Sequence, residues 1–137
     1  MGTWDSGSFG NDTACDWSYG LEGVIDLSYV EAALDRVLAC GHSTPVPADA
    51  SECAVAAAEV VARLKGNWGE ENSYSQTVDA WVRAHPITPP APLVAKAVAA
   101  LERIVVSPSE LLDLWNEADE GAGWTEAVTE LKGRVRT

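Results

Sequence analysis

Apolar residues recur along this 137-residue chain at three- and four-residue intervals, the spacing that lines one face of an α-helix. No segment alternates in the two-residue rhythm of a strand. An N-cap signal at Asn11-Asp12 opens a first helix of about ten residues that ends near Gly20 to Gly23, with Ala14, Trp17 and Leu21 on one face. Ser28 and Glu31 have the spacing of a capping box, and a second helix follows to Cys40, stopped by Gly41. Its apolar positions are Tyr29, Val30, Ala33, Leu34, Val37 and Leu38. Asp49 with Glu52 repeats the capping pattern and begins a third helix to about Lys65, with a core stripe of Cys53, Ala54, Ala57, Val60, Val61 and Leu64. A fourth helix runs from about Ser73 to Ala84 on Val78, Trp81 and Val82, and a fifth from Pro92 to about Val106 on Leu93, Val94, Ala97, Val98, Leu101 and Ile104.

Between these two helices, residues 86–92 (Pro86-Ile87-Thr88-Pro89-Pro90-Ala91-Pro92) read as an extended strap, because proline fixes its own φ and restricts the residue before it. Ser107-Pro108-Ser109-Glu110 combines an N-cap serine, proline at the first helical position and glutamate at N3, which starts a sixth helix carrying Leu111, Leu112, Leu114, Trp115 and Ala118. After an expected turn at Glu120-Gly121-Ala122-Gly123, a last helix from Trp124 presents Ala127, Val128, Leu131 and Val135. Residues 1–10 have no periodicity but contain Trp4 and Phe9, so they read as a Gly/Ser arm pinned by aromatics. The expected fold is all-α: residues 1–137 form one compact bundle of six to seven short helices with an irregular N-terminal arm.

Composition narrows the function. Apolar residues make up 47% of the chain, and six tryptophans supply large anchors for a core. The 21 acidic residues against 9 basic ones leave a formal charge of -12, which repels nucleic acid. Lys132, Arg134 and Arg136 form the nearest basic group, and they suit the last turn of a helix, where cations complement the macrodipole. No apolar run is long enough to cross a membrane and no secretory leader is visible, so the expected compartment is the cytoplasm. Cys15, Cys40 and Cys53 include no C-x-x-C pair and read as small buried hydrophobes.

The chain carries no nucleophile elbow, zinc-protease helix, phosphate loop or dinucleotide fingerprint, and no cofactor is expected. Asp12 and Asp16 stand four apart on the first helix, a spacing that could bring two carboxylates to one cation. Hard cations recruit more ligands than two, so the favoured roles are capping or charging the N-terminal turn of the helix for Asp12 and a solvated or backbone-bonded Asp16. Cys40-Gly41-His42 lacks the second half of a zinc site, so no metal is expected. Glu110, Asp113, Glu117, Asp119 and Glu120, with Asn116 among them, form an acidic run on and beyond the sixth helix. Such a run is a solvated face or, functionally, a docking surface for a basic protein.

Two segments carry a resemblance. Trp4-Asp5-Ser6-Gly7-Ser8-Phe9-Gly10-Asn11-Asp12-Thr13-Ala14-Cys15-Asp16-Trp17 resembles the N-terminal signature of the bacterial family known as domain of unknown function 4259, and Ser109-Glu110-Leu111-Leu112-Asp113-Leu114-Trp115-Asn116-Glu117 resembles its C-terminal segment. Asp5 departs from the family's glycine, and Gly10 replaces its acidic residue before Asn-Asp. The resemblance implies a bacterial cytoplasmic helical protein and brings no catalytic residues. It singles out Trp4, Gly7, Phe9, Asn11, Asp12, Asp16 and Trp17 as motif positions. The leading expectation is a non-enzymatic acidic binding protein of the immunity or antitoxin kind, which caps a basic partner such as a nuclease-type toxin through Glu110, Asp113, Asn116, Glu117, Asp119 and Glu120. The opposing expectation is an enzyme or a metal- or small-ligand-binding domain with its site at the N-terminal motif.

Overall fold

A computed structural model describes residues 7–137, and these form seven α-helices: α1 (Asp12–Tyr19), α2 (Ser28–Leu38), α3 (Ala48–Leu64), α4 (Gln76–Ala84), α5 (Ala91–Ile104), α6 (Glu110–Glu117) and α7 (Gly121–Arg136). Among the described residues the only extended pairing is a single parallel bridge between Val46 and Ser109. The all-α architecture therefore agrees with the periodicity.

The organising element is α3, which packs against all six other helices. Every residue from Ala50 to Arg63 is buried except the half-buried Cys53. The sequence suggested an apolar stripe on one face, but α3 is enclosed all round, the position expected for a helix rich in small apolar residues. Its alanines let the neighbouring helices approach closely, and one hydrophobic cluster extends from Phe9 and Trp17 through α2, α3 and α5 to Trp124, Leu131 and Val135.

Three helix starts differ from the sequence reading, each because another partner reaches the backbone first. At α2 the Asp26 carboxylate accepts hydrogen bonds from the Ser28 N–H (3.0 Å) and hydroxyl (2.6 Å), and Glu31 turns away to Lys96 on α5 (3.0 Å), so the capping box does not form. At α3 the Asp49–Glu52 box is absent too. Asp49 pairs with Arg36 at 2.9 Å, and the Ala48 N–H at the helix start is bonded instead by the Glu110 carboxylate at 3.0 Å. The cap of α6 is Ser109 rather than Ser107: its hydroxyl accepts from the Leu112 N–H and donates to the Ile104 carbonyl at 2.7 Å. Pro108 follows a cis peptide bond and lies outside the helix. Its carbonyl accepts from the Val46 N–H, and the Val46 carbonyl accepts from the Glu110 N–H, which ties the connector before α3 to the start of α6.

The expected turn at 120–123 is instead the first turn of α7. The chain reverses one step earlier, where Asp119 takes a left-handed φ of 60°. The Asp119 and Glu120 N–H groups bond back to the Asn116 and Trp115 carbonyls, a Schellman closure in which Asp119 occupies the position usually given to glycine. Gly121 is buried against Asn116, whose Oδ1 occupies the space a Cβ would take.

Arg103, near the end of α5, is buried and donates to the carbonyls of Gly41 (2.6 Å), Thr44 (3.0 Å), Val106 (3.0 Å) and Pro108 (2.9 Å). One guanidinium thus gathers the connector after α2 and the loop before α6.

Candidate functional site

The N-terminal motif divides between structural and exposed positions. Trp4 lies outside the described residues. Asn11 is buried and caps α1, its side chain accepting from the Ala14 N–H at 2.6 Å. Trp17 is buried and stacks on Tyr29 with ring centroids 4.9 Å apart, while the Tyr29 hydroxyl donates to the Trp17 carbonyl at 2.7 Å. Gly7 and Gly10 close a turn, Gly10 N–H to Gly7 carbonyl, that directs Phe9 into the core. Asp12 and Asp16 are both exposed. Between them Cys15 donates to the Phe9 carbonyl at 3.4 Å, and its thiol pKa is raised first by burial and then by the two aspartates. That environment holds sulfur as the thiol, opposite to what a nucleophilic cysteine requires. Among the described residues no group of three or more His, Cys, Asp or Glu side chains is placed to hold a metal ion.

Phe9 ends against the most heavily charged part of the interior. The Arg63 guanidinium lies 5.6 Å from the Phe9 ring centroid and 5.3 Å from that of Trp68, and Arg83 covers Trp68 at 4.8 Å. Arg63 is wholly withdrawn from solvent. It pairs with Asp79 at 2.8 Å and with Glu59 one turn back, and donates to the Glu70 carbonyl at 2.7 Å. Asp79 accepts from the Ser75 hydroxyl at 2.7 Å. Glu59 is shared with Arg134 of α7, which also pairs with Glu130 at 2.6 Å and donates to the Asn67 carbonyl. Burial works against the charge on Arg134, but its bonds to Glu59 and Glu130 outweigh that and raise its pKa above the ordinary arginine value. Gly69 permits this arrangement, since a Cβ there would collide with the Arg134 guanidinium.

The sequence reading missed this network. Arg134 and Arg136 do lie in the last turn of α7, but of the C-terminal trio only Arg136 is exposed: Lys132 reaches Glu102 at 3.5 Å and the Arg134 side chain runs into the interior. A signal was available in Glu59 and Arg63, a one-turn pair inside a helix otherwise built of Ala and Val.

A cleft of about 350 Å³ opens over the network, lined by the Gly7–Gly10 turn, Glu59, Glu70, Asn72, Tyr74, Glu130 and Arg134. A second, water-sized cavity of about 20 Å³ lies on the other side of the arm, between Asn11, Glu52, Trp115 and Trp124.

The predicted docking residues are also divided. Asp113, Asn116, Glu117, Asp119 and Glu120 are all exposed around the end of α6, with Leu114 39% exposed beside them. Glu110 belongs structurally to the start of α3 through its bond to Ala48.

A family model described as domain of unknown function (DUF4259) matches residues 2–127, a span that includes both the N-terminal motif and the Ser109–Glu117 segment. The chain belongs to the DUF4259 family. Comparison with curated proteins and with solved structures gives no match. In this DUF4259 domain, Asn11, Phe9 and Trp17 of the N-terminal motif have packing and capping roles, whereas Asp12 and Asp16 of the motif, like Asp113, Glu117, Asp119 and Glu120 on α6 and its exit, are exposed. No helix among the described residues is long and apolar enough to cross a membrane.

Proposed function

We propose that this DUF4259 domain is a non-enzymatic protein-binding module, an acidic inhibitor of the immunity or antitoxin kind that caps a basic bacterial effector such as a nuclease-type toxin. The observation that carries the reading is the distribution of charge. Eight of the nine Lys and Arg side chains are engaged internally: Arg36, Arg63, Arg83, Lys96, Lys132 and Arg134 with carboxylates, Lys65 and Arg103 with main-chain carbonyls. Asp113, Glu117, Asp119 and Glu120 have no ion-pair partner among the described residues, and together with Asn116 and Leu114 they make an exposed acidic surface with an apolar centre. A surface of that kind accelerates encounter with a basic protein and selects its partner by charge.

The test is capture from extracts of the native cell, with the tagged full chain as bait beside a D113N/E117Q/D119N/E120Q variant. Retention of a basic protein at low salt, its release as ionic strength rises, and its absence from the variant are expected. Capture of nothing, or equal capture by the neutralised variant, overturns the reading.

A further inference from the structure

The cavity beside the arm, where Ser8 and Asn11 meet α3, α6 and α7, has a volume of about 20 Å³, room for one water molecule and too little for an organic ligand. Asn11 is its most informative side chain. It is 6% exposed, and its Oδ1 is committed to the Ala14 N–H at 2.6 Å as the cap of α1. That bond fixes which way the amide points, so Nδ2 is the end left over. Nδ2 carries two N–H donors, and neither meets an acceptor among the described residues. Unlike the Ser51 hydroxyl, which is sealed in the core, Nδ2 stays within reach of a water molecule. Leaving a buried amide donor unmet is costly, and protein interiors pair nearly all such groups with protein or with ordered water. Trp115 and Trp124, 9% and 4% exposed, line the same cavity, and their indole N–H groups also have no acceptor among the described residues. Across from them Ser8 brings a hydroxyl and a carbonyl that have no partner among the described residues. N–H donors oppose a cation in this space, and the Glu52 carboxylate in its wall opposes an anion, which leaves a neutral occupant.

We propose that this cavity binds one ordered water molecule, which accepts from Asn11 Nδ2 and donates to Ser8. The water meets a donor that the cap geometry necessarily leaves over, and it links the N-terminal arm to the start of α1. Asn11 thereby serves two elements at once: Oδ1 starts the helix, and Nδ2 holds the arm through the water.

The experiment is water-selective NOE and ROE spectroscopy on the isotope-labelled full chain. A water molecule that stays longer than the protein takes to tumble gives cross-peaks of opposite sign in the two spectra. Exchanging protons and fleeting surface water give the same sign in both. Opposite-sign cross-peaks are expected at the Asn11 side-chain amide and the Ser8 backbone amide, and not at the side-chain amide of the exposed Gln76. Asn11→Ser keeps a capping oxygen but has no amide donor, and it is expected to abolish the cross-peak at Ser8. The wild-type spectra decide the question on their own if that variant does not fold. Ammonium chloride and sodium chloride, added separately at equal concentration, are expected to leave the cross-peaks unchanged. Same-sign or missing cross-peaks at Asn11, a Ser8 cross-peak of wild-type intensity in Asn11→Ser, or saturable loss of the cross-peaks with ammonium alone, which would make the occupant a cation, each overturns the proposal.

Discussion

Arg63 Nε donates to Asp79 Oδ1 at 2.8 Å with both side chains withdrawn from solvent, and this bond joins the middle of the central helix to α4. The same guanidinium pairs with Glu59 and supports Phe9, so the arm, α3 and α4 meet at one charged side chain. Replacing it with methionine leaves Glu59 and Asp79 buried without their shared cation. Arg63→Met is therefore expected to destabilise the fold by about 3–5 kcal/mol in denaturant titration. A loss below about 1 kcal/mol would show that the network contributes no more than a surface pair does.

Glu110 and Glu117 lie on one helix but have different work. Glu110 bonds the Ala48 N–H at the start of α3, whereas Glu117 has no partner among the described residues. Glu110→Ala is expected to cost about 1 kcal/mol of stability, the usual value of a helix-end cap. Glu117→Gln is expected to leave stability within about 0.5 kcal/mol and to slow association with a basic partner. Parallel melts and association kinetics of the two variants separate the roles.

Asp119 holds a left-handed φ of 60° at the closure of α6. That conformation strains any residue with a Cβ and suits glycine. Asp119→Gly is expected to raise stability by about 0.5–1 kcal/mol, and a lowered melting temperature would contradict the Schellman geometry.

A Cβ at Gly20 would meet the Tyr29 ring and hydroxyl. Gly20→Ala is expected to displace the ring, break its bond to the Trp17 carbonyl and cost about 1–3 kcal/mol. Trp17 loses its stacking partner with it, so near-ultraviolet circular dichroism should change together with the melt.

Cys53 is pushed up to about 11, chiefly by burial, which outweighs the nearby Arg36, with Asp49 and Glu52 adding to the rise. The folded state therefore holds this proton more tightly than the unfolded chain does. The thiol's contribution to stability is present in full below the ordinary thiol value and declines as pH rises toward about 11. Alkylation of Cys53 in the native protein is expected to be slow near neutral pH and to keep accelerating past pH ~10, beyond the ordinary thiol range. Saturation of the rate near the ordinary thiol value would contradict the burial.

The sequence by itself determined the all-α class, the number and order of the helices and most of the inward faces, because helical periodicity is a local property that each segment carries alone. It also marked the helix start at Asn11-Asp12, of which the structure makes Asn11 the cap and Asp12 a first-turn charge, and it marked Phe9 and Trp17 as inward aromatics. The tertiary structure decided what caps the other helices. The Asp26 carboxylate, the Glu110 carboxylate and the Val46 carbonyl each accept from a backbone N–H at a different helix start, and two of these three arrive from 62 or more residues away along the chain. It also decided which charges belong to the interior. Arg134 reads as a helix-end cation in isolation and becomes part of a buried network only because α7 lays it against Glu59, 75 residues distant. Side chains that are polar in sequence can be placed inside or outside only when the partner is known, since an interior charge survives where an opposite charge meets it. The cleft between the arm, α3 and α7 is of the same kind: its walls come from segments with no shared local pattern, and packing alone brings them together.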